Sequence, residues 1–174
     1  MSKLRALSAL LLGGCLLATL PSCADLDMPG LAAPARLGSA SLHTLDVGSI
    51  DSSLGLQLAD YARSQASGGT GWCYQYVAQA VHAYLPTFLT GMHAYLAADQ
   101  LAASPYFREV SVPAAELPAL PAGAVVVWAK GSSESGHISI ADGQGQEISD
   151  HIATQMTYHY GGGDYRVFVP APRS

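Results

Sequence analysis

Charge is scarce in this 174-residue chain: 12% of its residues are Asp, Glu, Lys or Arg, against 49% that are hydrophobic. Basic residues are the scarcer kind, eight against thirteen acidic, and two of the eight, Lys3 and Arg5, fall in the first five positions. With that opening segment set aside, six basic side chains face thirteen acidic ones, a formal charge of −7. Such a surface cannot neutralise a phosphate backbone, which excludes nucleic acid as a partner. Long apolar runs are missing as well, and there is no internal repeat. The main one, residues 6–20, falls short of the roughly 20 residues that span a bilayer. Cysteine occurs three times, at 15, 23 and 73. What remains is enough for one ordinary core and one domain.

The opening segment joins a positive start, Lys3 and Arg5, to that short apolar run, the pattern of a secretory leader. Leu20-Pro21-Ser22-Cys23 has the form of a lipoprotein box, in which the cysteine becomes the lipidated first residue. Cys15 follows Leu12-Gly13-Gly14 but has too short an apolar run ahead of it, and Ser22-Cys23-Ala24 also fits ordinary cleavage after Ala24. Residues 1–22 are thus predicted to be a leader, with Cys23 as lipidation site. The protein is expected to be exported to the periplasm or cell envelope and held at a membrane by a lipid anchor. Residues 23–50, rich in Ala, Gly, Pro and Ser, are predicted to be a tether, and residues 51–170 the folded domain.

Either way of cutting leaves Cys73 without a partner. Exported proteins usually pair their thiols, so a lone cysteine points to intermolecular pairing, to a reactive role, or to a buried inert thiol.

Asp51, Ser52 or Ser53 can cap a helix carrying Leu54, Leu58, Tyr61 and Ala62 at helical spacing, ended by Ser67-Gly68-Gly69. A second helix starts at or just before Cys73, with Cys73, Val77, Ala80, Val81 and Tyr84 on one face, and stops at Pro86. A third is predicted over about 90–103. The period then changes to that of strands, at 108–112, 124–129, 136–141, 146–152 and 165–169, with Asp142-Gly143-Gln144-Gly145 as a hairpin turn. Helices first and an antiparallel sheet second make an α+β domain.

Gly68-Gly69-Thr70-Gly71-Trp72-Cys73 puts the thiol at the first turn of a helix. Unpaired N–H groups and the positive end of the helix dipole favour an anion there, and thiolate is the nucleophilic form of cysteine. The same N–H groups are natural donors to an oxyanion.

Gly71-Trp72-Cys73-Tyr74-Gln75-Tyr76-Val77-Ala78 resembles the signature that opens the catalytic helix of CHAP domains. Leu120-Pro121-Ala122-Gly123-Ala124-Val125-Val126-Val127-Trp128 is similar to the Pro-x-Gly-Asp-[Ile/Val]-Val-Val-Trp strand of CHAP and NlpC-type domains, departing from it at Ala124, where the family usually has Asp. Gly136-His137-Ile138-Ser139-Ile140-Ala141 is close to the family's strand carrying the base. The resemblance implies a papain-like fold with N-terminal helices packed on an antiparallel β-sheet, Cys73 as nucleophile and His137 as its base.

A catalytic imidazole needs a third group to orient it. With Gly143-Gln144 as a two-residue turn, Asp150 stands opposite His137, and Asp150 is the preferred orienting residue. That register turns Ile148 away from Ile138 and Ile140. A one-residue shift sets Ile148 against Ile140 but His151 against His137, so Ser149 and His151 stay open. Trp72, Tyr74 and Trp128 are predicted to contact substrate. His43, His82 and His93 read as ordinary surface residues, and His159 as a possible edge of the site.

The resemblance, with export, implies a cysteine peptidase or amidase acting on amide bonds of peptidoglycan, its partner a stem peptide or muramoyl-peptide. The competing reading is an inactive cell-wall or partner-binding domain of the same fold. No cofactor or metal is implied: His137, Asp150 and either His151 or His159 match no zinc spacing.

Overall fold

A computed structural model describes residues 48–131, 133–159 and 163–173. The leader, Cys23 and all but the end of the predicted tether lie outside the described residues. Packing begins before residue 51: Ile50 lies against an apolar cluster, and the Asp51 N–H donates to the Pro170 carbonyl at 3.0 Å. No helix among the described residues is long and apolar enough to cross a membrane.

Helix α1 spans Ser52–Gln65, and its cap is Asp51, whose carboxylate accepts the Leu54 N–H at 2.9 Å. Leu54, Leu58, Ala59 and Ala62 form its buried stripe. Helix α2, Cys73–His82, buries Tyr74, Val77, Ala80 and Val81. The third helical stretch begins later than its periodicity suggests, as a 3-10 turn at Ala94–Leu96 that leads into α3, Ala97–Ala103. Gly91, at φ +112°, and an extended His93 keep the preceding residues out of helix.

Six strands follow: β1 Phe107–Val110, β2 Val125–Trp128, β3 His137–Ala141, β4 Gln146–Ile148, β5 Ile152–Thr154 and β6 Tyr165–Pro170. They form one antiparallel sheet in the order β1-β6-β2-β3-β4-β5. The predicted 146–152 strand is two strands, separated by a tight turn in which Ser149 N–H donates to the His151 carbonyl at 2.8 Å. A 3-10 segment at Ala114–Ala119, carrying the buried Leu117, had no periodic signal.

Alternation sorts the sheet's residues onto two faces. Val125, Val127, Ile138, Ile140, Ile148 and Phe168 pack with the three helices. Val126, Trp128, Ala141, Val167 and Val169 pack with Leu117 and Leu120 on the other side. The Val-rich β2 is buried on both faces, as its unbroken apolar run predicts. Two glycines set the distance between the first helix and the sheet. A Cβ at Gly55 would overlap the Ala122 carbonyl, and one at Gly123, φ +82°, would overlap Gly55. The backbones meet there because neither residue has a side chain.

Candidate active site

The hairpin register decides which carboxylate meets His137. Asp142 Oδ1 accepts from the N–H groups of Gln144 at 2.7 Å and Gln146 at 2.9 Å, and Gly143 and Gly145 both take positive φ. The connection therefore holds three residues, 143–145, closed by the Asp142 N–H to the Gln146 carbonyl at 3.0 Å. This pairs Ile140 with Ile148 and Ala141 with Glu147. The two-residue turn that set Asp150 opposite His137 is thus corrected by one position, and the apolar pairing of Ile140 with Ile148 is the one realised.

In that register Glu147 points to the same face as His137, Ser139 and Ala141. Its carboxylate is buried, with Oε1 3.3 Å from His137 Nε2. The approach is off the N–H axis, so the contact is an ion pair more than a directed hydrogen bond. Oε2 accepts from Gln155 Nε2 at 2.9 Å, the Met156 N–H at 3.0 Å and Ser139 Oγ at 3.4 Å. These three donors fix the carboxylate. The Cys73 side chain also acts on the His137 imidazole. Burial pulls the imidazole's pKa down, but the contacts with Cys73 and Glu147 outweigh it and raise the value to about 9.

Local backbone aims His137. Gly136 takes φ +67° directly before it, and a Cβ there would overlap the Trp128 carbonyl. Trp128 is the residue paired with His137 across β2 and β3. On the ring's other side lies His159, fully buried and stacked between His137 and Trp128 at centroid distances of 6.4 and 5.9 Å. His159 therefore backs the His137 ring from inside the core, a place its sequence context only hinted at.

Asp150 does a different job from the one predicted. Its Oδ2 accepts from the consecutive N–H groups of Thr70 at 2.5 Å, Gly71 at 2.6 Å and Trp72 at 3.3 Å, and from Thr70 Oγ1 at 2.9 Å. Its Oδ1 meets His151 Nδ1 at 2.9 Å and Ser149 Oγ at 3.2 Å. Its backbone carbonyl accepts from Ser67 and Gly68, each at 3.0 Å. Burial pushes the carboxyl up, but the bonds from His151, Thr70 and Gly71 together hold it well below the usual carboxylate range. Asp150, with Ser149 and His151 beside it, thus clamps the loop that delivers Cys73, while Glu147 holds the position beside His137.

The clamp also uses the backbone donors just ahead of α2. The first intrahelical bond runs from the Tyr76 N–H to the Trp72 carbonyl at 3.2 Å, and α2 has no side-chain cap. The N–H groups of Cys73, Tyr74 and Gln75 precede that bond and have no acceptor within the helix. They are the donors available to an oxyanion beside the thiol.

Cys73, half-buried, opens onto a groove of about 380 Å³ that runs along α2 to His82. Of the three predicted substrate contacts, Trp72 lines the groove with 56% of its surface exposed. Tyr74 lines it too, but its ring is buried and its hydroxyl donates to Gln100 at 2.7 Å and the Thr90 carbonyl at 2.9 Å. Trp128, 2% exposed, packs on Tyr165 and His159, so its predicted substrate contact is corrected to a core role. His82 is not an ordinary surface residue: its Nε2 accepts from the N–H groups of Phe88 at 3.2 Å and Leu89 at 3.1 Å. His93 bonds Ser135 Oγ through Nδ1 at 3.0 Å and stacks on Tyr95. Among the described residues, no group of three or more His, Cys, Asp or Glu is arranged to hold a metal.

No protein-family model and no curated protein sequence matches the chain. Solved structures do. One is from the type VI native effector–immunity complex Tae3–Tai3 of Ralstonia pickettii, at 21% identity and a TM-score of 0.51, covering 66% of this chain and 96% of that one. The selenomethionine form of the same complex matches with the same identity and TM-score, covering 64% and 98%. The likeness shows the fold: an α+β domain with helices packed on a six-stranded antiparallel sheet.

Proposed function

We propose that the protein is a thiol hydrolase that cleaves amide bonds in bacterial cell-wall peptidoglycan. The observation that carries the reading is His137 held between the Cys73 thiol and the buried Glu147 carboxylate. His137 takes the thiol proton, and the thiolate attacks the amide carbonyl. The N–H groups at the start of α2 receive the oxyanion. His137 then returns the proton to the leaving amine, and water releases the acyl group from sulfur. Glu147 favours the imidazolium throughout and fixes the ring.

Peptidoglycan as substrate rests on the motif resemblance around Cys73, Val125 and His137, with the leader and the Cys23 box supporting export and a lipid anchor. The structural neighbour is an effector paired with an immunity protein. A protein inhibitor that covers the Cys73 groove fits the same reading.

Cys73→Ala is expected to abolish release of fragments from purified peptidoglycan, read by mass spectrometry, while a cooperative thermal transition shows the fold retained. Glu147→Gln is expected to lower the rate by roughly 10²-fold or more. Full activity of the Cys73 variant overturns the assignment.

A further inference from the structure

Among the described residues, the lining of the groove beside Cys73 includes no Asp, Glu, Lys or Arg. Its polar walls are Gln75, Gln79, Thr87, Thr90 and Ser135, all neutral. Its titratable lining besides Cys73 and Tyr74 is His82, whose Nε2 already accepts two backbone N–H bonds and whose pKa burial pulls down. A ring so engaged stays neutral and offers no positive charge. Ala78, Gly91 and Ala94 keep the walls small, and Trp72 and Met92, 56% and 75% exposed, supply an apolar rim.

A charged group entering here would lose water and gain no partner of opposite sign, a cost that a neutral group avoids. The length follows from the helix: Cys73 to His82 is nine steps of 1.5 Å, about 13 Å, which matches about four extended residues at 3.3 Å each. Another depression of similar size, about 390 Å³ at the β1–β6 pair, has Glu109 and Arg166, already paired with each other, in its lining.

We propose that this groove binds an uncharged, small-side-chain peptide segment of the substrate on one side of the scissile bond, leaving the charged groups of the substrate outside it. The proposal rests on Cys73 being the nucleophile, as argued above, but not on the polymer being peptidoglycan.

Three peptidyl chloromethyl ketones test it on the full chain: Ala-Ala-Ala, Ala-Glu-Ala and Ala-Lys-Ala, with iodoacetamide as the reference reagent. The rate of Cys73 alkylation, followed by mass spectrometry and divided by the iodoacetamide rate, is expected to be at least tenfold higher for the neutral probe than for either charged one. Gln79, exposed on the groove wall, gives a second arm. Gln79→Glu is expected to restore the Lys probe by three- to tenfold, and Gln79→Lys the Glu probe. Rates within twofold for all three probes, a preference for either charge, or no response to the Gln79 substitutions overturns the proposal. A neutral preference with intact peptidoglycan sinks the polymer and leaves the groove standing. Digestion of peptidoglycan without probe discrimination does the reverse, and a Cys73 inert to every reagent sinks both.

Discussion

Glu147 and Asp150 lie three positions apart on one hairpin, and the atoms around them divide their work. Glu147 meets the His137 ring, while Asp150 accepts from the backbone ahead of Cys73. The charge on His137 makes the first role measurable. Its folded pKa of about 9 exceeds the ordinary value near 6.5, so the stability it contributes is complete below about 6.5 and is lost as pH rises through about 9. NMR titration of His137 is expected to give a midpoint near 9 in the native protein and a lower one in Cys73→Ala, which removes one of the raising contacts. Identical midpoints would show that sulfur does not hold that proton. Cys73 and His137 could be singled out as candidates from the sequence because each sits inside a contiguous motif on its own element. Glu147 could not, since its relation to His137 passes through a turn whose length decides the face. The signal was present all the same: setting Ile148 against Ile140 turns Glu147 towards His137's face, and the one acidic residue of β4 then has a reason to be buried.

At the scale of elements, the turn after β4 acts on the loop before α2. Asp150 gathers three backbone N–H groups and a hydroxyl onto one oxygen, so the 67–72 segment is fixed by a residue from the far end of the sheet. Its folded pKa lies below the unfolded value near 3.9, so the stability it contributes is present above that value and lost as pH falls through the folded one. Asp150→Asn is expected to cost about 1.5–3 kcal/mol at pH 7, the range for hydrogen bonds to a charged group. Denaturant unfolding should show that deficit constant down to about pH 5 and shrinking below about pH 4. Amide exchange at Thr70, Gly71 and Trp72 should accelerate with it, and unchanged exchange there would refute the clamp. Helix α1 was readable from cap and stripe, and α2 from its stripe and the proline after it. The late start of the third was not, because Thr90 to His93 continues an apolar pattern while Gly91 and His93 adopt non-helical backbone to form the groove wall.

At the scale of the whole molecule, strand order departs from chain order. β6 lies between β1 and β2, and β2 lies between β6 and β3, so early and late strands interleave across the sheet. The period of each strand marked it as a strand but carried no trace of which neighbours which, since backbone hydrogen bonds pair any two strands alike. Removing residues 165–173 is expected to abolish the cooperative thermal transition, because β1 loses its partner and β2 one of its two. A sharp transition in the shortened chain would show that the helices and β2–β5 suffice. The interleaving also bears on synthesis. A nascent chain that has emerged as far as His159 already contains the sulfur, the imidazole and both carboxylates, yet it lacks the strand that joins its two halves. The sheet that carries His137 and Glu147 is therefore complete only once residues 165–170, among the last to be made, have taken their place inside it.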